Sequence, residues 1–224
     1  HAVQIDYKPE DYLIETCGTG GDTFKTFNVS TVASIIASAG GAKISKHGNR
    51  SVSSKFGGAD ALEALGVNIE LSPEKVINSI DKCNFAFIFA PIYHVATKNV
   101  MMIRKQLKTR TVFNLLGPIS CPTNVNARLT GIYDPELLET IAKVAMNLGV
   151  ECGMLVHGFD ENGNPAMDEI SNIGKTKVAF IDNGDITVKY ITPEDFGLSF
   201  SKPEDIVAPE TLQEHIQIIY NILN

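Results

Sequence analysis

Residues 18–22 read Gly-Thr-Gly-Gly-Asp and directly follow an apolar run. Glycines carry no side chains, so successive glycines let backbone N–H groups converge on an anion. Asn28, Ser30 and Thr31 come soon after, in positions suited to the first turn of a helix, where free N–H groups and the helix dipole favour phosphate. The spacing matches neither GxGxxG nor GxxxxGK[ST]. The pattern therefore predicts a phosphate site of another type, with an ordinary tight turn and helix cap as the alternative interpretation.

A second stretch, residues 46–54, adds positive charge through Lys46, His47 and Arg50. Amide and hydroxyl donors lie among and beyond these cations, at Asn49, Ser51, Ser53 and Ser54. In a chain with a net charge of -7, such a local group of cations is typical of a site for an anionic ligand. The alternative interpretation is a basic loop that is simply solvated.

A third stretch carries adjacent carboxylates at Asp168 and Glu169. Neighbouring acids are usually surface charge, but beside a polyphosphate they suit Mg²⁺, which takes one or two carboxylates together with phosphate oxygens. Asp22 in the glycine-rich turn has the same potential, or else caps its own turn. The three stretches together predict a site for a phosphorylated ligand and Mg²⁺.

Strands must place these stretches side by side. Short runs at residues 12–16, 42–45 and 154–157 read as strands, and each runs into one of the stretches. Helical segments alternate with the strands, which indicates an α/β fold with a mostly parallel central sheet flanked by helices. Ligands of such folds bind beyond the carboxyl ends of the strands, so we expect the three stretches to meet there.

Other elements follow from the same kinds of pattern. Residues 94–107 have helical spacing, residues 114–118 (Asn-Leu-Leu-Gly-Pro) read as a turn, and Asn183-Gly184 connects a predicted antiparallel hairpin. No linker divides the sequence, so we expect residues 1–224 to form one domain.

Composition argues against several classes of protein. A hydrophobic content of 44% in 224 residues is enough for a core, and the net charge of -7 disfavours a general binder of nucleic acid or anionic membranes. The four cysteines form no CxxC pair, so we expect neither a disulfide framework nor a structural metal site, and a reduced cytoplasmic location. No signal peptide is visible, and no apolar run approaches the roughly 20 residues of a membrane span.

The order and spacing of the motifs resemble those of one enzyme family. In chain order they are GTGGD (18–22), NVST (28–31), KHGNRSVSS (46–54), GAD (58–60), FAPIYH (89–94), RTVFNLLGP (110–118) and DEIS (168–171). Over residues 12–220 the chain resembles the anthranilate phosphoribosyltransferases. The resemblance implies transfer of the 5-phosphoribosyl group from phosphoribosyl diphosphate (PRPP) to the amine of anthranilate, in tryptophan synthesis. It also implies a nucleoside phosphorylase-type α/β catalytic domain, with residues 92–108 packing in a small helical subdomain.

The resemblance assigns residues to ligands. It places PRPP against Gly18, Gly21, Asp22, Thr26, Asn28, Val29, Ser30, Thr31, Lys46, His47, Gly48, Asn49, Arg50, Ser51, Val52, Ser53, Ser54 and Gly58. It places Mg²⁺ at Ser30, Asp168 and Glu169, and anthranilate at Gly18, His47, Asn49, His94, Arg104 and Pro118. No side chain acts as a covalent catalyst in this assignment, so positioning and electrostatics supply the rate.

The chain departs from the family pattern in several places. Gly58 stands where the family usually has serine, and Thr23 and Lys108 replace usual glycines. The family homodimer forms through N-terminal helices, whereas only about 17 residues precede the GTGGD motif here. We therefore expect a homodimer from the resemblance, but without its usual helices in this chain.

Two other functions are compatible with the fold that the resemblance implies. One is a nucleic-acid-binding paralogue, which the net charge of -7 and the presence of Asn49 and Arg104 disfavour. The other is a pyrimidine nucleoside phosphorylase-like enzyme, with phosphate as the nucleophile and a nucleoside as the donor. The KHGNR motif and the Asp168-Glu169 pair favour PRPP with Mg²⁺ instead.

Overall fold

The computed structural model describes residues 3–8, 10–20, 24, 26–50, 56–95 and 111–224. Within these ranges the strands are β1 (Leu13–Gly18), β2 (Lys43–Gly48), β3 (Phe85–Phe89), β4 (Ala127–Gly131), β5 (Cys152–Phe159), β6 (Pro165–Met167), β7 (Thr176–Asp182) and β8 (Asp185–Ile191). They form an 8-stranded sheet in the order β3-β2-β1-β4-β5-β7-β8, with β6 beside β5. Strands β1 to β5 pair in parallel, and β6, β7 and β8 pair antiparallel. The predicted α/β fold with a mostly parallel central sheet is confirmed.

Helices connect most of the strands. In the same ranges they are α1 (Val29–Ala39), α2 (Gly58–Ala64), α3 (Pro73–Cys83), α4 (Ala90–Tyr93), α5 (Phe113–Ile119), α6 (Leu138–Asn147) and α7 (Leu212–Leu223). Two short 3₁₀ helices, Pro193–Phe196 and Pro203–Asp205, precede α7. The predicted helix over 94–107 falls mostly on residues 96–110, which lie outside the described ranges. No helix that the structure describes is long and apolar enough to cross a membrane.

The prediction of a turn at residues 114–118 is wrong, because these residues belong to α5. The side chain of Asn114 accepts a hydrogen bond of 3.0 Å from the backbone N–H of Thr111 and so holds the start of the helix. Pro118 lies in the last turn, where the ring removes only one helical hydrogen bond before the helix ends at Ile119. The glycine and proline of this segment therefore mark the end of a short helix.

Helices cover both faces of the sheet, and each face is named here after one of them. On the α3 face, Val76 of α3 packs in one apolar cluster with Leu13 of β1, while α5 and α6 pack against β5 and β7. On the α1 face, Leu62 of α2 packs with Phe87 of β3, beside α1 and α7. Alternate residues of a strand point to opposite faces, so consecutive residues of β2 serve different sides of the sheet.

The hairpin at the antiparallel edge is confirmed. Strands β7 and β8 pair in register from Thr176 with Ile191 to Asp182 with Asp185. Between them, Asn183 has φ 46 and Gly184 has φ 97. Positive φ at both central residues matches the twist of the flanking strands, and Asn-Gly is the dipeptide that most readily adopts it.

Candidate active site

The glycine-rich turn after β1 holds a carboxylate. The backbone N–H of Gly20 donates a hydrogen bond of 2.7 Å to Oδ2 of Asp168, 148 positions along the chain. A Cβ atom on Gly18 would collide with the same oxygen, so a side chain there would displace the carboxylate. Gly21 and Asp22, which complete the motif, lie outside the described residues. The first and third polar stretches therefore meet, as the sequence predicts.

Two further glycines, which sequence reasoning missed, support the acidic stretch. Gly131 ends β4, and a Cβ atom there would overlap the backbone of Asp168. In β5, a Cβ atom on Gly158 would stand 2.7 Å from the carbonyl oxygen of Glu169. Glycine in a strand often marks such a close approach of another backbone. The Asp168-Glu169 segment therefore lies across the carboxyl ends of β1, β4 and β5.

Lys46 joins the second stretch to the first on the α1 face. Its Nζ donates hydrogen bonds to Oγ of Ser30 at 3.0 Å and to the carbonyl of Thr16 at 3.2 Å. Burial lowers the pKa of Lys46, an effect that nearby negative groups, including Glu169, partly offset. Lys46 and His47 lie inside β2 and are each 4% exposed, so the alternative of a solvated basic loop is wrong for these two residues.

The N-terminus of α1 lies where the sequence predicts it, with Asn28 as the residue before the helix. The Asn28 side chain does not cap the helix, because its Nδ2 donates instead to the Phe56 carbonyl at 3.1 Å. Its buried Oδ1 has no hydrogen-bond partner among the described residues. Thr31 in the first turn faces Gly58, where a Cβ atom would stand 3.0 Å from the Thr31 Oγ1. The first turn of α1 therefore presents polar groups beside β2 without a side-chain cap over its N–H groups.

The other described residues that are predicted to bind PRPP lie around this region. Arg50 is exposed, and its two terminal nitrogens contact the two carboxylate oxygens of Glu63, one of them at 2.8 Å. Asn49 is also exposed, and its Oδ1 accepts the backbone N–H of Arg50 at 2.7 Å. Thr26 pairs with the segment before α7, and residues 51–54 lie outside the described ranges. Val29 lies at the start of α1, and Gly48 lies at the end of β2. Arg50 is thus held by α2 in this structure.

Three of the residues predicted to bind anthranilate, His47, His94 and Pro118, lie together on the opposite side of the sheet, the α3 face. Nε2 of His47 lies 3.1 Å from Nε2 of His94. Burial, with a smaller contribution from His94, lowers the pKa of His47 to about 3, so this imidazole is neutral at pH 7. The backbone of Gly117 interacts with the His47 ring, which places the buried Pro118 beside the pair. Arg104 lies outside the described residues.

Sequence reasoning also missed a buried ion pair next to these imidazoles. Glu15 and Arg128 are register partners in β1 and β4, and the Arg128 guanidinium contacts the Glu15 carboxylate. Oε1 of Glu15 lies 3.7 Å from Nδ1 of His47. Burial raises the pKa of Glu15 to about 7, against the opposing effect of Arg128. The signal for this pair is an acid inside the apolar run 12–16, since a charge in a buried strand needs a partner.

The oxygen donors that the resemblance assigns to Mg²⁺ fit that ion. Ser30 and Glu169 both interact with Lys46, and Asp168 is fixed at the glycine turn, so the three donors share one region. No group of three or more His, Cys, Asp or Glu side chains that could hold a metal occurs in the part of the chain that the structure describes. Two carboxylates and a hydroxyl, together with phosphate oxygens, suit Mg²⁺. Zinc, in contrast, is bound mainly by nitrogen and sulfur ligands.

Comparison with known sequences identifies a family and close relatives. The model of the glycosyl transferase family, a/b domain, matches residues 10–224. The chain is 99% identical over its whole length to an anthranilate phosphoribosyltransferase of Methanosphaera stadtmanae, of which it covers 64%. It is 46% identical over 222 residues to a protein of the same name from Methanothermobacter marburgensis, of which it covers 63%. The chain thus spans slightly less than two thirds of the length of these relatives.

Solved structures of similar sequence share the fold. An anthranilate phosphoribosyltransferase from Thermus thermophilus matches with a TM-score of 0.88 at 36% identity, over 99% of this chain and 64% of that one. The Saccharomyces cerevisiae protein of that name in complex with PRPP and Mg matches with a TM-score of 0.85 at 33% identity, over 99% and 59%. The sheet, the polar stretches at its edge and these matches lead to one conclusion: the chain belongs to the glycosyl transferase family, whose a/b domain its residues 10–224 match.

Proposed function

We propose that the chain transfers the 5-phosphoribosyl group of PRPP to the amine of anthranilate, which gives N-(5-phosphoribosyl)anthranilate and diphosphate. The observation that carries the proposal is the meeting of three polar stretches at one edge of the sheet. There Gly20 donates to Asp168, and Lys46 donates to Ser30. The shared name of the relatives at 99% and 46% identity supports the choice of donor and acceptor.

The donor half of the proposed site lies on the α1 face. We assign PRPP to the glycine-rich turn, to the first turn of α1 and to Lys46, with residues 51–54 as further contacts. In the reaction the C1–O bond of PRPP breaks, and its electron pair leaves with the diphosphate. Backbone N–H groups at a helix start and a buried ammonium are already oriented, so they stabilise this developing charge at little cost of reorganisation. Lys46 is oriented by its hydrogen bond to Ser30.

We also propose that Ser30, Asp168 and Glu169 hold Mg²⁺ at this half of the site. The complex of the Saccharomyces cerevisiae protein with PRPP and Mg supports the use of Mg²⁺. When bound, the ion neutralises negative charge on the diphosphate. The chain contributes the orientation of the donors, because the Gly20 N–H fixes one carboxylate oxygen of Asp168.

The acceptor half of the proposed site lies on the α3 face. We assign anthranilate to His47, His94 and Pro118, with Asn49 and Arg104 as further contacts taken from the resemblance. The amine nitrogen bonds to C1 and releases a proton, and no covalent intermediate with the protein is needed. Positioning of the two substrates then supplies much of the rate. Lys46 and His47 are consecutive residues of β2, so one strand places the two halves on either side of its carboxyl end.

Loss of anthranilate fluorescence tests the proposal. The 224-residue chain is incubated with anthranilate, PRPP and Mg²⁺, with omission of PRPP and addition of EDTA as controls. We expect a loss of signal that needs both PRPP and Mg²⁺. An unchanged signal from protein that binds PRPP in calorimetry would contradict the transferase. Phosphorolysis of uridine or thymidine would favour the phosphorylase, and a salt-dependent gel shift would favour nucleic-acid binding.

Several properties of the chain as a whole stay predictions. We propose that residues 1–224 act as one catalytic domain in the cytoplasm. The homodimer that the resemblance implies is tested by analytical ultracentrifugation, in which a mass twice that of the 24.3 kDa chain would support it.

Arg104→Ala tests the resemblance at a position outside the described residues. We expect a higher KM for anthranilate than in the wild type, with less effect on the KM for PRPP.

A further inference from the structure

The C-terminal end of α5 is held by side chains from other elements. The last four carbonyls of an α-helix have no partner inside the helix. Here one guanidinium binds two consecutive carbonyl groups. Arg128 donates to the carbonyl of Pro118 at 2.5 Å and to that of Ile119 at 3.2 Å. A cation at the negative end of the helix dipole is also electrostatically favourable. Arg128 of β4 therefore ties the end of α5 to the centre of the sheet.

The carbonyls on either side of this pair face the two imidazoles. Burial lowers the pKa of His47, and a hydrogen bond with the Gly117 backbone partly opposes this effect. Burial likewise lowers the pKa of His94, and a hydrogen bond with the Ser120 backbone partly opposes it. The four consecutive residues 117–120 thus meet Arg128 in the middle and one histidine at each end. The end of α5 and the His47–His94 pair form one connected unit.

The charge of Arg128 is itself buried and balanced. Arg128 is 5% exposed, and its partner Glu15 is fully buried. An apolar side chain of similar size could fill this space without the desolvation that two buried ions suffer. The guanidinium differs from such a side chain in one respect that matters here, because it donates to carbonyl groups in a fixed geometry. Arg128, paired with Glu15, therefore fixes the end of α5 against β1 and β4.

We infer that Arg128, held by Glu15, is a positioning residue for the acceptor half of the site. It fixes residues 117–120, and through them Pro118 and the His47–His94 pair, in the arrangement that receives the aromatic acceptor. The inference rests on the proposed function, because it specifies how that acceptor is held. It assigns no contact between Arg128 and either substrate.

The first test separates the acceptor from the donor in steady-state kinetics. The double variant Arg128→Met with Glu15→Gln removes both charges, so neither ion is left buried alone. We expect the KM for anthranilate to rise about tenfold, since a site that is competent only part of the time binds correspondingly more weakly. The KM for PRPP should stay within about twofold. Arg128→Lys retains the charge beside Glu15 but loses the fork of donors, and should give an intermediate KM for anthranilate.

The second test does not depend on turnover. Hydrogen exchange of peptides covering residues 113–120 is measured in the same variants, with residues 29–39 as an internal reference. We expect faster exchange at 113–120 only. Lys177→Met is the matched control, because Lys177 also donates to a carbonyl, that of Pro135 at 3.0 Å, which is not in residues 117–120. It should leave exchange at 113–120 and both KM values unchanged.

The outcomes distinguish the inference from the proposed function. A wild-type chain with no transferase activity contradicts the proposed function, and exchange at 113–120 together with direct anthranilate binding then decides the inference. Equal increases of both KM values in the double variant would show a general structural role and overturn the inference. Unchanged exchange at 113–120, or an unchanged affinity for anthranilate, would also overturn it.

Discussion

At the residue scale, the position of Asp168 depends on small neighbours. Gly18, Gly131 and Gly158 each leave room that a Cβ atom would take from the Asp168-Glu169 segment. The Gly20 N–H then fixes one oxygen of the carboxylate. A charged group is thus brought to the end of the central strands by glycines that are far apart in the sequence.

Replacing the two acids tests their assignment to Mg²⁺. Asp168→Asn with Glu169→Gln keeps the side-chain volumes and an acceptor for the Gly20 N–H, but removes both charges. We expect turnover at saturating substrate to fall about 100-fold or more, as for the loss of other charge-stabilising groups, with little change in Tm. Glu161→Gln, an exposed acid in the preceding loop, is the control. An unchanged rate in the double variant would remove these residues as metal ligands.

His47 gives a pH dependence of stability whose sign follows from its burial. Its pKa falls from 6.5 to about 3 in the folded chain, mainly through burial. Between these values the unfolded chain binds a proton at this residue and the folded chain does not, so folding becomes less favourable as the pH falls from about 6.5 towards 3. His47→Gln should reduce the slope of the free energy of unfolding against pH by up to about 1.4 kcal/mol per pH unit. Urea unfolding of the wild type and of His47→Gln at pH 7, 6 and 5 measures this slope. Identical slopes for the two proteins would contradict the lowered pKa of His47.

At the element scale, the residues of the proposed site lie at the carboxyl ends of the parallel strands. The runs at 12–16, 42–45 and 154–157 do form strands of the sheet, although β2 continues through Lys46 and His47 to Gly48. This extension matters because alternation along a strand sends the lysine to one face and the histidine to the other. The sequence was also compatible with a loop at Lys46 and His47. Such a loop would not have placed the two side chains on opposite faces of the sheet.

Gly131 tests how much the site depends on the packing of the acidic stretch on β4. In Gly131→Ala the new Cβ would overlap the Asp168 backbone, so the segment must shift. We expect a stability loss of about 1–3 kcal/mol, as for other overpacked sites, and a further selective loss of Mg²⁺-dependent turnover. Gly174→Ala crowds the backbone at Asp160 instead, and should lower Tm without the selective loss. Equal effects of the two variants on turnover would contradict this role of Gly131.

At the scale of the whole molecule, the two halves of the proposed site lie on opposite faces of one sheet. Lys46→Met should raise the KM for PRPP by about tenfold or more, because a buried charged donor is lost, with a smaller effect on anthranilate. His94→Gln should raise the KM for anthranilate, with a smaller effect on the KM for PRPP. Lys43→Met in the same strand is the control, since its Nζ contacts Tyr7 at the other end of β2. Steady-state kinetics with each substrate varied in turn measures the split, and equal effects of each variant on both KM values would contradict it.

The sequence was sufficient to predict the fold class and the meeting of the glycine turn with the acidic stretch, because strand ends and polar motifs are local signals. It was not sufficient for α5, since Gly117 and Pro118 have the same local signature at a helix end as in a turn. It also missed the Glu15–Arg128 pair. The partner of a buried charge is set by strand order and register, which a sequence without the fold does not contain.

Product analysis identifies the transferred group and its acceptor in one experiment. The 224-residue chain is incubated with Mg²⁺, PRPP, anthranilate, uridine and inorganic phosphate together, and the products are identified by mass spectrometry. We expect N-(5-phosphoribosyl)anthranilate and diphosphate in equal amounts, with uridine unchanged. Formation of uracil and ribose 1-phosphate, with anthranilate unchanged, would contradict it.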